Sequence, residues 1–218
     1  MKVVTSAYLL HNTGNADIVQ GKFEHISGTP VITEKLFDLE FEISPKSFFQ
    51  TNTLGAEELY RVTGEMIRTK NPVVFDLYAG TGTIGMVLAS RAKEVYSVEI
   101  VPEASEDNIR KHAKNNIKNV TVINAPVEKL LEEWKKEGKT PDVIVIDPPR
   151  AGMHPDAPGI LRDFNPKEII YVSCNPATLA RDIPLIAPNG EYRVTDITPV
   201  DMFPHTHHIE AVVRMERV

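Results

Sequence analysis

From residue 71 onward the sequence alternates between short apolar runs and longer amphipathic ones. That alternation restricts the fold more than any other feature. The strand-like runs are PVVFDLY, EVYSVEI, VTVINA, DVIVID and EIIYVS. Between them lie the helix-like runs IGMVLASRA, PEASEDNIRKHAKNN, PVEKLLEEWKKE and PATLARDIPLIA. Short apolar strands separated by helices predict βαβ units, hence an α/β fold with a parallel sheet and helices on both faces. After residue 190 the alternation stops. YRVTDITPV and EAVVRMERV read as two strands joined by the loop DMFPHTHHI, so an antiparallel pair is expected to end the sheet.

The first 45 residues read differently. KVVTSAYLLHN and PVITEKLFDLEFEIS are alternating and β-rich, with an Asn-Thr-Gly-Asn turn after the first run. They suggest a small antiparallel unit with little core of its own, so the chain divides into residues 1–45 and 46–218. The loop SPKSFFQTN follows. Asn52 is placed to cap a helix over residues 53–69, where Leu54, Leu59, Val62 and Met66 recur at helical spacing.

Composition removes several classes. No apolar run among the 218 residues approaches the roughly 20 that a membrane-spanning helix needs, and the N-terminus lacks the long apolar core of a signal peptide. The single cysteine, Cys174, excludes an internal disulfide and a four-thiolate metal site, and makes a reducing, cytoplasmic setting the default. A net charge of −6 gives no global attraction to nucleic acid, so RNA or DNA binding must use a local basic patch or a further segment. The basic residues Arg110, Lys111, Lys114 and Lys118 are read as a solvated helix face.

Four motifs fall where strands end. DLYAGTGTIG runs from Asp76 to Gly85, between a strand and a helix. Gly80 and Gly82 let the backbone turn tightly and approach a ligand, and the helix N-terminus offers free N–H groups. Glu99 ends the next strand, where an acid can grip both hydroxyls of a ribose; the plain alternative is a turn acid. These features fit a nicotinamide cofactor as well as S-adenosylmethionine. Asp76 favours the latter, because dinucleotide folds usually carry an apolar residue there. The second motif is Asp147-Pro148-Pro149-Arg150, whose prolines hold Asp147 rigidly at the carboxyl edge of the sheet. Arg150 has two readings, a partner for Asp147 or a phosphate contact. The third is Ser173-Cys174-Asn175-Pro176. A lone cysteine is most often a small buried hydrophobe, but this one leaves its strand at the ligand edge, where a thiolate could act as nucleophile. The fourth, FPHTHHIE, ends on Glu210. Its histidines lack the spacing of zinc ligands, so no metal is expected, and Glu210 is the better candidate for proton removal.

Five βα units followed by a terminal hairpin resemble the Rossmann-like class I methyltransferases, which differ from dehydrogenases in the antiparallel strand. The motifs together resemble the uracil-C5 RNA methyltransferase family, which includes the tRNA and 23S ribosomal RNA enzymes. The matching strings are SFFQTN from Ser47, DLYAGTGTIG from Asp76, VE at Val98 and Glu99, DPPR from Asp147, VSCNP from Val172 and MFPHTHHIE from Met202, in family order. The resemblance implies that Gln50, Tyr78, Glu99 and Asp147 contact S-adenosylmethionine, that Cys174 is the nucleophile and that Glu210 is the base. It also implies an RNA substrate, tRNA or ribosomal RNA, whose target base leaves its stack. Two departures stand out. Family members usually carry a longer N-terminal part, often an OB-type barrel and sometimes a cysteine-ligated iron–sulfur cluster, which one cysteine excludes from this chain. Thr83 stands where the family often has Asn. A monomer is expected, either a fragment or a minimal enzyme. Two rivals remain at this point: an amino-group methyltransferase working through the DPPR loop with Cys174 merely structural, and an RNA-binding module without turnover.

Overall fold

The computed structural model describes residues 4–12, 21–45 and 48–218. Most of the expected Asn-Thr-Gly-Asn turn, and Ser47 of the SFFQTN motif, lie outside the described residues. Two antiparallel hairpins come first: β1 (Ser6–His11) with β2 (Lys22–Gly28), and β3 (Ile32–Leu36) with β4 (Leu39–Ile43). The run PVITEKLFDLEFEIS is therefore two strands. Its tight turn uses Phe37 in the left-handed region at φ 54° without any Gly or Asn to announce it, and the Phe37 amide donates to Glu57 at 2.6 Å.

Helix α1 (Thr53–Met66) is capped as its sequence suggests: the Asn52 side chain accepts from the Gly55 amide at 3.1 Å. It ends three residues short of the expected boundary. Leu54, counted in its apolar stripe, is exposed in the first turn. Then follow β5 (Val73–Leu77), α2 (Thr83–Ala89), β6 (Glu94–Glu99), α3 (Pro102–Lys114), β7 (Val120–Asn124), α4 (Val127–Glu137), β8 (Val143–Ile146), α5 (Ala157–Phe164), β9 (Glu168–Ser173), α6 (Pro176–Ile186), β10 (Tyr192–Val200) and β11 (Glu210–Arg217). Helix α5 has no counterpart among the helix-like runs, because its Pro158-Gly159 reads as a turn. The proline is tolerated in the first helical turn, where its missing N–H costs nothing.

The seven-stranded sheet has the order β10-β11-β9-β8-β5-β6-β7. Strands β5 to β9 are parallel, and β11 inserts antiparallel between β9 and β10. The fold is thus the mostly parallel α/β sheet with an antiparallel end that the sequence pattern predicts. Because β6 and β7 continue from β5 in one direction and β8 and β9 in the other, a crevice opens between the carboxyl ends of β5 and β8.

Alternate strand residues feed two cores. Ile144 and Ile146 face α4, α5 and α6, where Phe75 meets Trp134 at 4.4 Å between ring centroids. Val143 and Val145 face the opposite side with α1, α2 and the β3–β4 hairpin, whose Leu36 and Phe41 are fully buried. That hairpin corrects one expectation. Lys111 is not on a solvated face: its stem is buried against β4, with Nζ 5.8 Å from the Phe41 ring centroid, and burial pulls its pKa down to about 8. No described helix is long and apolar enough to cross a membrane.

Candidate active site

The crevice at the carboxyl edge is a cleft of about 800 Å³. Strand register builds its wall. Leu77 pairs with both Ile146 and Val98, so Tyr78, Asp147 and Glu99 emerge side by side at three strand ends. On the other side Ala211 pairs with Ser173, which brings Glu210 beside Cys174. Seven of the nine sequence-derived site residues line this one cleft: Gln50, Tyr78, Gly80, Glu99, Asp147, Cys174 and Glu210.

Asp76 and Gly82 do not line it. Asp76 is fully buried behind the glycine loop, where Oδ2 accepts from Ser97 at 2.8 Å and the carboxylate is also bonded by the Gly85 amide, while Oδ1 has no hydrogen-bond partner among the described residues. Burial, with Glu99 nearby, pushes its carboxyl up to about 7 despite those two donors. Gly82 lies at φ 81° against the Asn108 side chain, and an added Cβ would meet that amide at 2.0 Å. These two residues shape the loop from behind. Gly80 faces open space: an added Cβ there would meet nothing within 4 Å, though its φ of 54° still favours glycine.

One half of the cleft is tied down by hydrogen bonds. Glu99 Oε2 accepts from the Gly80 amide at 2.8 Å and Oε1 from the Val101 amide at 2.8 Å. Each oxygen keeps a lone pair for a ligand hydroxyl. Tyr78 sits at φ 60°, unusual for a non-glycine residue, and its hydroxyl donates to Glu128 at 3.0 Å. Phe49 packs on Phe41, while Phe48 stands exposed at the rim.

The other half is acidic and has few partners. Among the described residues no hydrogen bond or ion pair engages the side chains of Asp147 or Glu210. Burial pushes Asp147 up to about 8, helped by Glu210 and Asp76, and burial raises Glu210 as well. The Cys174 thiol is raised by burial and by Glu210 and Asp147, while Arg150 opposes them. The loops carrying these groups are pinned together. Asn175 caps α6 through the Ala177 amide at 3.1 Å, and its Nδ2 donates to the Arg150 carbonyl at 3.2 Å. Buried Asp182 holds the tail of the DPPR loop by accepting from the Met153 amide at 3.0 Å and from the Tyr171 hydroxyl at 2.7 Å. Asn52 Nδ2 donates to the Met202 carbonyl at 2.9 Å, joining the start of α1 to the loop before Glu210.

The whole chain, bar its first 17 residues, matches the model of the tRNA (uracil-5-)-methyltransferase family, over residues 18–218. The chain belongs to this family. An RNA methyltransferase of Lactobacillus johnsonii is 42% identical over 219 residues, covering all of this chain and 48% of the relative. One of Clostridium acetobutylicum is 44% identical over 213 residues, covering 96% of this chain and 46% of the relative. The chain therefore spans about half the length of the curated relatives it matches. Among solved structures, the Pyrococcus abyssi tRNA (uracil-54, C5)-methyltransferase in complex with S-adenosyl-L-homocysteine superposes with a TM-score of 0.81 at 34% identity, over 98% of this chain and 51% of that one. The fold is that of the S-adenosylmethionine-dependent methyltransferases, so the nicotinamide alternative falls away. No group of three or more His, Cys, Asp or Glu among the described residues is arranged to hold a metal ion.

Sequence reasoning passed over Tyr60. It lies on α1 beside the apolar stripe, and its buried hydroxyl reaches the cleft, bonded to Thr83. Burial and the nearby Asp147, Glu210 and Asp76 carboxylates hold it neutral. Glu128 was also passed over, within a helix that reads as ordinary surface. Only the tertiary fold brings either one to the site.

Proposed function

We propose that this chain is the catalytic half of an S-adenosylmethionine-dependent RNA methyltransferase that forms 5-methyluridine through a covalent Cys174 adduct. The observation that carries the reading is the meeting of Cys174, Glu210 and Asp147 beside a cleft whose other half is built to hold a nucleoside. The cleft fits S-adenosylmethionine. Glu99 keeps lone pairs for the ribose hydroxyls, and Gly80 leaves room for close approach. Gln50 and Tyr78 line the same cleft. When bound, S-adenosylmethionine supplies an electrophilic methyl group.

Uracil C5 is a poor nucleophile until C6 is attacked. Cys174 loses its proton to solvent and its Sγ bonds to C6, leaving C5 enolate-like and able to accept the methyl group. Glu210 then takes the C5 proton, the C5–C6 double bond re-forms, and Sγ leaves. A buried, raised carboxylate is a stronger base than an exposed one, which suits Glu210 to that step.

The test is methyl transfer from labelled S-adenosylmethionine to RNA, followed by nucleoside mass spectrometry. The expected product is 5-methyluridine. Label on an exocyclic amino group would replace this reading with the amino-methylation rival, and cofactor binding with no labelled nucleoside from any RNA would favour a non-catalytic module.

A further inference from the structure

The cleft interior is lined by Glu99, Glu128, Asp147 and Glu210, an unwelcoming surface for a polyanion. The mouth beside Cys174 has the opposite character. Arg150 is exposed there, and its backbone is fixed by Asn175. Its Nη2 lies 3.5 Å from Nδ1 of His208, and the His207 and His208 rings meet at a tilt of 40° with centroids 4.1 Å apart. Among the described residues no carboxylate pairs with Arg150, His207 or His208. Their contacts are with one another: Arg150 Nη2 and His208 Nδ1 meet at hydrogen-bond distance, and His207, burial and Arg150 together disfavour a charged His208. Arg150 does not reach Asp147, one of its two sequence readings; the other, a phosphate contact, remains.

Potential cations gathered without a counter-ion, at the rim of an acidic pocket, form a place for an external anion. We infer that Arg150 and the His207–His208 pair grip RNA backbone phosphate next to the nucleotide whose base reaches Cys174. The inference rests on the reading of the site as an RNA methyltransferase and adds the element that holds the strand. An extruded base carries its sugar to the cleft mouth, and the flanking phosphates must rest on the rim. The guanidinium offers paired N–H donors that suit a phosphate. In a chain of net charge −6 this local patch would supply attraction that the molecule as a whole lacks.

The test is the salt dependence of binding a fluorescent five-nucleotide uridine RNA, by anisotropy between 50 and 200 mM KCl with S-adenosylhomocysteine present. One phosphate contact on a single strand contributes about 0.7 to the slope of log affinity against log salt. Arg150→Gln is expected to reduce the slope by about that amount, and Arg150→Lys to restore most of it. His207→Gln with His208→Gln is expected to reduce it further at pH 6. Arg193→Gln, on β10 and paired with Glu216, is expected to leave it unchanged. A wild-type chain with no salt dependence, an unchanged slope in Arg150→Gln, or an equal loss in Arg193→Gln would each overturn the inference. So would Arg150→Gln that loses S-adenosylhomocysteine rather than RNA, which would hand the rim to the cofactor's carboxylate. Binding needs no turnover, so a chain that methylates some other base would still report on the rim, and the two readings fail separately.

Discussion

The two halves of the cleft are both rich in acids, and they treat them differently. At the ends of β5 and β6, Glu99 has each oxygen on a backbone amide and Glu128 accepts from Tyr78. At the ends of β8, β9 and the start of β11, half-buried Asp147 and buried Glu210 have no such donors among the described residues, and both are pushed toward the protonated state. Hydrogen bonds that favour a carboxylate fix its charge and orientation; burial among like charges leaves it ready to take a proton. On the proposed reading, the first half holds and the second reacts. Changes in the second half are then expected to damage turnover, and changes in the first to damage binding.

The largest expected effect is at Cys174. RNA carrying 5-fluorouridine at the target should form a stable adduct, since fluorine cannot leave as a proton does. Cys174→Ala should abolish both adduct and methylation while cofactor affinity, by calorimetry, stays near wild type. Methylation at an undiminished rate would end the covalent mechanism. Glu210→Gln comes next, with a loss of about 100- to 10,000-fold, typical of removing a general base. Because the affected step follows methyl transfer, gels should show a slow-migrating band carrying labelled methyl. Normal turnover without a trapped species would shift the role to His205 or a relayed water. The pH profile sharpens the same half. Cys174 is raised above its ordinary thiol value, so the adduct rate should still be climbing at pH 9; a plateau below pH 8 would mean that bound RNA lowers the thiol.

Much of the reactive half's placement is legible in the sequence, and the reason is local. Asp147, Cys174 and Glu210 each follow or begin an apolar run, so strand periodicity alone sends them to one edge of the sheet. The helix cap at Asn52 and the terminal hairpin were legible for similar reasons. Three of the misses are tertiary. Asp76 reads as a ligand contact because it precedes the glycine loop, yet its strand position turns it inward toward Ser97. Lys111 reads as solvated because its helix is basic, but β4 covers it. Tyr60 reaches the cleft only because α1 packs across the sheet. The turn at Phe37 escaped because it carries no Gly or Asn, and helix α5 because its Pro158-Gly159 reads as a turn.

A smaller effect tests the holding half. Glu99→Gln keeps an oxygen for one backbone amide but loses the charge that draws the ribose hydroxyls. A hydrogen bond to a charged group is worth about 1.5–3 kcal/mol, so affinity for S-adenosylhomocysteine should fall about 10- to 100-fold with the 5-fluorouridine adduct still forming. Unchanged affinity would reduce Glu99 to a prop for the glycine loop.

The smallest expected effect concerns Asp76, which neither half touches directly. Its carboxyl keeps a proton to about pH 7 in the folded chain, against 3.8 as the ordinary value. Between those values the folded state binds more protons than the unfolded state, so this group's contribution to stability is greatest below about pH 4 and drains away as pH rises through about 7. Buried His112 works in the opposite direction near neutrality, since its pKa is lowered, so the wild-type profile alone is ambiguous. The difference between wild type and Asp76→Asn isolates the carboxyl. The amide keeps an acceptor for the Gly85 N–H and cannot ionise. Thermal melts at pH 5 and pH 8 should show the variant gaining on wild type by a few degrees as pH rises, because each kcal/mol shifts the midpoint by about 2–4 °C in a chain of this size. A variant equally displaced at both pH values would mean that Asp76 is already ionised at pH 5, its charge carried by Ser97 and Gly85. The loop would then be held from behind by a fixed anion, and the difference between the two halves would extend one layer deeper into the sheet.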